Sequence, residues 1–452
     1  MKEKVSVILP SLNVADCIEE CLDSVINQSL RELEIICVDA GSTDGTRDIL
    51  NDYARKDPRI VILYSDVKSY GKQVNMGLDY ASGEYVAVLE TDDWIDEDMY
   101  QCLYETAKAD DLDYAAADFD TFYQLQNGAY YFAGQHLFGA EKQEWYGKIL
   151  NSRQIATLRA SDYVLWKAVY NRHFLNISHI RFHESAGAAF QDMGFLQQVK
   201  THADKAKYLD QSFYRYRQNR DHSSSVSLEG LCYYMKEFLW INDSLNLKCV
   251  LNSIHMKYYY LTMSISFITK YEQILKRLDG NWQDERLCVP YNWFREQVTY
   301  AIEGKVLDET LYDKKQWDRL VLLLASQESH AKLIISREKK KKECVQEFID
   351  IVADRPVIIF GCGVRGGRLL WFCDRNNIRV LSFCDNNEKL HGGEKFGYPV
   401  ISPAELKNLT DKKNGLILLS MKNGHEEVSR QLQTIGIESD RIVQSIPGEI
   451  LY

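Results

Sequence analysis

What this sequence lacks narrows its class first. None of its eleven cysteines forms a C-x-x-C pair, and most, such as Cys37 and Cys232, lie among apolar neighbours. That excludes a zinc ribbon and a disulfide framework and fits a reducing compartment, so a cytoplasmic location is expected. An excess of positive charge is also missing. The net charge of −11 argues against a general nucleic-acid binder, though not against local basic patches. No apolar run reaches the length that crosses a bilayer; the nearest, Tyr258 to Thr269, is short and flanked by Lys257 and Lys270. Met1 runs within a few residues into an apolar strand, so no leader peptide is expected. What remains is a globular chain, 452 residues long and 45% hydrophobic, with room for two or three domains.

What is present is a βαβ rhythm. Lys4 to Pro10 reads as a strand, followed by Ser11, Leu12 and Asn13. Asp16 to Gln28 has helical spacing, with Ile18, Leu22, Val25 and Ile26 on one face. A second strand, Leu33 to Val38, ends in the turn Asp39-Ala40-Gly41-Ser42-Thr43-Asp44-Gly45-Thr46. After a third strand, Ile60 to Tyr64, a helix opens on Tyr70-Gly71-Lys72-Gln73-Val74-Asn75. The apolar Tyr85 to Val88 then runs into Leu89-Glu90-Thr91-Asp92-Asp93-Trp94-Ile95-Asp96. In open parallel α/β sheets ligands bind at the carboxyl ends of the strands, so Asn13, Asp39, Lys72 and the acidic tetrad are expected around one crevice. Carboxylates gathered at the end of a buried strand call for a cation, and Mg²⁺ or Mn²⁺ favours one or two carboxylates plus substrate phosphates. Taken alone, the same acids also read as a helix start with Asp92 as N-cap.

Val7-Ile8-Leu9-Pro10 with Asn13, the turn Val38 to Thr46, and Glu90-Thr91-Asp92-Asp93-Trp94 together resemble glycosyltransferase family 2, of the GT-A fold. The resemblance covers about the first half of the chain. It implies a nucleotide-diphosphate-sugar donor (UDP-linked in the family's commonest form), Mn²⁺ or Mg²⁺, and transfer with inversion to a hydroxyl of a surface polysaccharide or a lipid-linked glycan. The donor residues carried over are Pro10, Ser11, Asn13, Asp39, Ser42, Lys72, Asn75, Glu90, Thr91, Asp92 and Arg217, with Asp92 and Asp93 as metal ligands. Two departures stand out: Ala40 and Glu90 occupy positions where the family often has Asp. Ala40 leaves Asp39 as the carboxylate expected to contact the base. Phe190-Gln191-Asp192-Met193 resembles the family's acidic motif below the acceptor, which makes Asp192 the expected general base. Trp166 to Arg172 resembles an acceptor-side segment, in which core packing of Trp166 is favoured over stacking on a sugar. Tyr214 to Ser227 resembles a strand and loop closing over the diphosphate.

From about Leu228 to Glu347 the periodicity is helical, with Leu231, Tyr234, Met235, Phe238 and Leu239 on one face and Trp317, Leu320, Val321 and Leu324 on another. Lys339 to Lys342 reads as a solvated helix face, although it also leaves room for contact with anionic lipid at the inner face of the membrane. A composition shift at Arg355-Pro356 opens Val357 to Phe360, then Gly361, Gly363 and Gly366, with Asp385 at the next strand end. This is the dinucleotide-binding pattern in its required context, so NAD(P) is a candidate ligand; a structural Rossmann-like module is the favoured reading. The expected architecture is thus α/β: a GT-A domain with a mostly parallel sheet over 1–227, a helical region over 228–347 and a Rossmann-like domain over 348–452. A homo-oligomer is compatible with it. The rival function is a nucleotide-sugar-modifying or NAD-dependent enzyme centred on the C-terminal domain. That segment has no proton-transfer constellation, whereas the N-terminal half carries Asp39, Asp92, Asp93 and Asp192, so glycosyl transfer is the expected activity.

Overall fold

The computed structural model describes residues 3–218, 227–245 and 253–444, together with 446 and 448. The chain forms two compact units: residues 1–121 with 134–334, and residues 122–133 with 335–452.

In the first unit, strands β1 (Val5–Ser11), β2 (Leu33–Asp39), β3 (Ile60–Tyr64) and β4 (Tyr85–Val88) lie in the order 3-2-1-4, all parallel. Val5, Val7, Ile8 and Leu9 are wholly buried. The apolar run of β1 reflects a central parallel strand covered on both faces. Helices α1 (Ile18–Ile26), α2 (Thr46–Lys56) and α3 (Tyr70–Tyr80) make the crossovers. Helix α3 lies close on the sheet, where a Cβ at Gly77 would stand 2.5 Å from the Ile8 side chain. Beyond β4 come the two-residue β5 (Trp94–Ile95), helix α4 (Met99–Ala109), β6 (Tyr114–Gln124), β7 (Tyr130–Gln135), β8 (Ile149–Asn151), helix α5 (Ser152–Thr157), β9 (Ala168–Asn171) and helix α6 (Arg172–Ile177). Strand β9 pairs antiparallel with both β4 and β6, and β10 (Lys205–Arg217) returns antiparallel to β5. The path β3-β2-β1-β4-β9-β6-β10-β5 is therefore parallel on one side and mixed on the other.

The helical stretch belongs to the same unit as far as Ile334, because α8 (Gly230–Ser244) packs on α7 (Gln191–His202) and the helix Ser253–Arg277 packs on α5. Its core stacks Phe267 on Phe294 with ring centroids 4.0 Å apart. Leu231, Tyr234 and Phe238 are buried as their spacing implies, but Leu239 and Val321 are 42% and 45% exposed. Ile241 and Leu323 are buried in the same helices, so each apolar face is narrower and rotated. Trp166 is buried and stacks on Tyr214 at 3.9 Å, the core-packing outcome. Among the described residues no helix is long and apolar enough to cross a membrane.

The second unit has a sheet of five parallel strands, β11 (Val357–Phe360), β12 (Val380–Cys384), β14 (Tyr398–Ile401), β15 (Leu416–Leu419) and β16 (Ile442–Val443). The short β13 (Glu394–Lys395) pairs antiparallel at the β14 edge. Counting the parallel strands alone, the order is 3-2-1-4-5, the order of a doubly wound nucleotide-binding sheet. Its core takes Leu125 and Tyr131 from the β6–β7 hairpin, more than two hundred residues earlier in the chain. Gln126 bonds Asp374 by its N–H at 3.0 Å, and Asn127 donates to the Phe396 carbonyl at 3.2 Å. Lys339 to Lys342 are exposed on the helix Gln327–Val352, as a solvated face would be.

Candidate active site

The loops after β1 and β2 are tied to each other. The Asn13 N–H donates to Ser42 Oγ, the Val14 N–H to Thr46 Oγ1 and the Ala15 N–H to Asp44 Oδ2, all at 2.9–3.0 Å. Asn13 Oδ1 in turn accepts from the Thr43 N–H at 2.9 Å. Short polar side chains followed by Gly41 and Gly45, both at positive φ, suit such a turn because they satisfy backbone donors locally. Asn13 and Ser42 thus brace the crevice wall. Asp39, fully buried at the end of β2, accepts from the N–H groups of Gly41 and Ser42 at 3.1 and 3.2 Å and is closed on by the Arg47 guanidinium. Burial opposes its ionisation, yet the hydrogen bonds from Ser42, Arg47 and Gly41 outweigh it and hold the carboxyl below its ordinary range. Asp39 is a fixed anion able to accept from a base N–H.

On α3, the Lys72 ammonium pairs with Glu184 at 3.3 Å. The Asn75 amide donates to the Phe182 carbonyl and to Glu184, both at 3.0 Å, and accepts from the Phe182 N–H at 2.9 Å. Here the geometry departs from the donor-contact expectation, since every hydrogen bond of the Asn75 side chain goes to the segment Phe182–Glu184. At the β1 end, Thr91 Oγ1 donates to the Pro10 carbonyl at 3.0 Å, and the Ser11 carbonyl accepts from Gln73 at 2.9 Å. Pro10 and Ser11 therefore meet the acidic tetrad through backbone.

The four acids do not share one role. Asp93 is 1% exposed, and β10 holds both of its oxygens: Tyr214 donates its hydroxyl to Oδ2 at 2.8 Å and Arg217 its N–H to Oδ1 at 2.7 Å. Burial pushes its carboxyl well above the usual range, aided by Asp92. Both oxygens of Asp93 thus accept from β10, while Asp92 is half-buried. Glu90 accepts from the Tyr70 hydroxyl at 2.6 Å, and burial pushes its carboxyl up to about 8. Arg217 donates Nε–H to the Asp92 carbonyl at 2.8 Å and pairs with Glu20, so contact with a phosphate requires that pair to open. Arg215 is tied to Asp120 at 2.6 Å and to Asp96. The rest of the expected loop, Asn219 to Val226, lies outside the described residues.

Asp192 is the second residue of α7, after Phe190 at a φ of 67°. It accepts from the Met193 N–H at 2.8 Å, and burial raises its carboxyl to about 6. It also borders a cavity of about 490 Å³. Residue-level reading passed over Tyr70, Tyr214 and Tyr216. The Tyr216 phenol is pushed up to about 12, by burial first and then by the charges of Asp93, Asp92, Glu90 and Asp192. The available cue was the alternation Tyr214-x-Tyr216 on β10, which sends both rings to one face.

Among the described residues no cluster of three or more His, Cys, Asp or Glu is arranged to hold a metal by itself. Adjacent carboxylates such as Asp92 and Asp93 fit a hard ion that takes one or two of them and completes its shell with ligand phosphates.

Residues 6–162 match the glycosyl transferase family 2 model. The chain carries a family 2 glycosyltransferase domain. It is 27% identical to the glycosyltransferase YibD of Escherichia coli K12, across 66% of this chain and 76% of that protein. The EpsJ glycosyltransferase of Bacillus subtilis is 30% identical across 48% of this chain and 61% of its own length. A further relative, GlyA of Streptococcus pneumoniae, is matched over only 32% of its length. In fold, the chain is similar to a crystal structure of S. aureus TarS residues 1–349, with a TM-score of 0.53 at 17% identity, covering 75% of this chain and 91% of that one.

Outside the glycosyltransferase domain, residues 353–443 match a model described as C2185-like, N-terminal. Here the residues do not fit a dinucleotide as the fingerprint requires. Asp385 Oδ2 accepts from the Cys362 N–H at 2.8 Å, and Oδ1 from the Asn387 N–H at 2.9 Å. The acid that would hold a ribose and an amide that would face a pyrophosphate are bonded to each other. The glycines have packing duties: a Cβ at Gly366 would lie 2.0 Å from the Gly361 carbonyl oxygen, and Gly361, at a φ of 107°, sits against Ser420. Gly363 only precedes the helix Val364–Arg375, with open space around it.

Proposed function

We propose that this chain moves a sugar from a nucleotide-diphosphate donor, UDP-linked, to a hydroxyl of a surface polysaccharide or a lipid-linked glycan, with inversion and a divalent metal. The observation that carries the reading is the division among carboxylates at the strand ends. Asp39 is held ionised at the end of β2, Asp92 is half-buried after β4, and Asp192, at the start of α7, is raised to about 6. The choice of UDP is supported by the fold shared with the TarS fragment, which has also been crystallised with UDP-GlcNAc, at a TM-score of 0.53.

In this mechanism Asp39 accepts from the base, and Asn13 and Ser42 keep the wall around it rigid. A divalent ion at Asp92 would offset the charge that builds on the leaving diphosphate. Asp192 accepts the proton of the acceptor hydroxyl as its oxygen attacks the anomeric carbon. The bond to the diphosphate breaks on the opposite face, which inverts the centre. The test is sugar release and transfer from a panel of UDP-sugars, with Mn²⁺ and with excess EDTA. Turnover is expected with Mn²⁺ or Mg²⁺ and lost with chelator. Full turnover in EDTA removes the metal from the reading, and no turnover with any nucleotide sugar removes the reading itself.

A further inference from the structure

The cavity of about 490 Å³ beside Asp192 lies between the start of α7 and the helix Ser253–Arg277. That volume falls within the roughly 300–1,000 Å³ of small-ligand sites. The α7 side contributes apolar surface from Phe190, Met193 and Leu196. The long helix contributes Thr262, Ser266, Thr269 and Gln273, which recur at helical spacing and so share one face. Their exposure is graded. Thr262 is buried, Ser266 is half-buried, and Thr269 and Gln273 are exposed, so the stripe runs from the floor of the cavity to its mouth.

What the stripe offers a ligand depends on where its protons go. Thr262 donates its hydroxyl to the Tyr258 carbonyl at 2.7 Å, Ser266 to the Thr262 carbonyl and Thr269 to the Ile265 carbonyl at 2.9 Å. Each bond reaches one turn back along the helix. With the hydrogens committed to backbone, the hydroxyl oxygens present lone pairs to the cavity. Asp192 lines the same space and, once ionised, is an acceptor too. The other charged groups at the lining are engaged by protein. Arg159 donates to Gln197 and Thr201, Asp162 pairs with Lys167 and Lys200, and Lys270 holds its ammonium over the Phe190 ring at 5.7 Å. Acceptors grouped along a cavity favour a ligand rich in O–H donors. A phosphate or carboxylate, which only accepts, would set lone pair against lone pair. A sugar ring has hydroxyls for the stripe and an apolar face for Met193 and Leu196.

We propose that this cavity is the acceptor subsite, that it takes an uncharged sugar residue, and that the helix Ser253–Arg277, outside the residues matching the family model, thereby selects the acceptor. This rests on the glycosyl-transfer reading above and names the chemistry of its acceptor. The hydroxyl that reaches Asp192 is the one that attacks, and other hydroxyls of the same sugar donate to Thr262 and Thr269.

Ligand-observed NMR on the full chain at pH 8 compares the methyl glycosides of glucose, galactose and N-acetylglucosamine with glucose 6-phosphate and glucuronic acid. At least one methyl glycoside is expected to bind about threefold or more tighter than both charged sugars, the worth of one net hydrogen bond. Thr262→Val and Thr269→Val remove the oxygens at the floor and the mouth. Hydroxyls bonded one turn back add little to a helix, so thermal melts of both variants should match the unsubstituted chain. Each is expected to weaken that glycoside by about threefold, and the double variant by about tenfold. Should Thr262→Val melt early, the exposed Thr269→Val alone decides. Equal or tighter binding of a charged sugar overturns the ligand class, and glycoside binding unchanged in the folded variants overturns the site. UDP titrated into the same samples separates the two readings. UDP bound with no glycoside bound rejects only this inference, while absence of both UDP and glycoside binding rejects the function on which it rests.

Discussion

Asp192 owes its raised carboxyl to burial, and that has two consequences of opposite sign. As a proton acceptor it must be ionised, so transfer is expected to fall as pH drops through about 6. Its folded value lies above its unfolded one, so its contribution to stability is present below the ordinary carboxylate range and is lost as pH rises through about 6. Asp192→Asn should therefore cut transfer by roughly 10² or more while raising the melting temperature above pH 6, a gain that fades toward pH 4. A pH series of transfer rates and thermal melts on both proteins checks this, and a destabilised variant at pH 8 would contradict it. Asp92 and Asp93 separate in the same way. Asp93→Ala leaves the Tyr214 hydroxyl and the Arg217 N–H without their acceptor and should cost about 1–3 kcal/mol. Asp92→Asn, at a half-buried carboxylate, should cost less stability than Asp93→Ala and abolish metal-dependent turnover. Comparable unfolding by both variants would remove the distinction.

At the scale of elements, the strand-to-helix turn after β11 is set by backbone contact. A side chain at Gly366 would collide with the Gly361 carbonyl oxygen, and neither backbone can yield cheaply. Gly366→Ala should destabilise the second unit by roughly 2 kcal/mol or more, visible by calorimetry as a lower transition for that unit. Gly363→Ala, with open space around it, should change little. The two glycines look alike in the sequence motif and differ only through what the helix meets. Strand β10 makes a related point. Its tyrosine alternation was readable, but its function as the strap over the acidic tetrad depends on pairing with β5, about 120 residues away in sequence.

At the scale of the whole molecule, the composition shift near Arg355 marks the C-terminal unit, yet its core also needs the hairpin Phe122–Ala133. A chain ending at Ile334 would leave Leu125 and Tyr131, each 3% exposed here, without their neighbours. That truncation alone should aggregate, because exposed aromatic and aliphatic strand residues invite association. Replacing residues 123–132 by a short turn in the truncated chain should restore solubility and keep UDP binding, since every donor-side residue named above lies outside that hairpin. Light scattering and a UDP titration on the two shortened chains decide it. A soluble truncation with the hairpin intact would show that the hairpin does not need its C-terminal partners.

The sequence by itself determined the parallel order of strands and helices, the polar turns at their ends and the place of Asp39, Asp92 and Asp192, because periodicity and turn chemistry act over a few residues. It did not determine which carboxylate of Asp92-Asp93 bonds β10, that Asn75 braces a loop, or that Asp385 closes on Cys362. Each of those is decided by a partner about 20 to 120 residues away. Neither could it show that the hairpin Phe122–Ala133 completes the core of the second unit. Burial and hydrogen-bond satisfaction depend on neighbours in space, so only the tertiary structure assigns them.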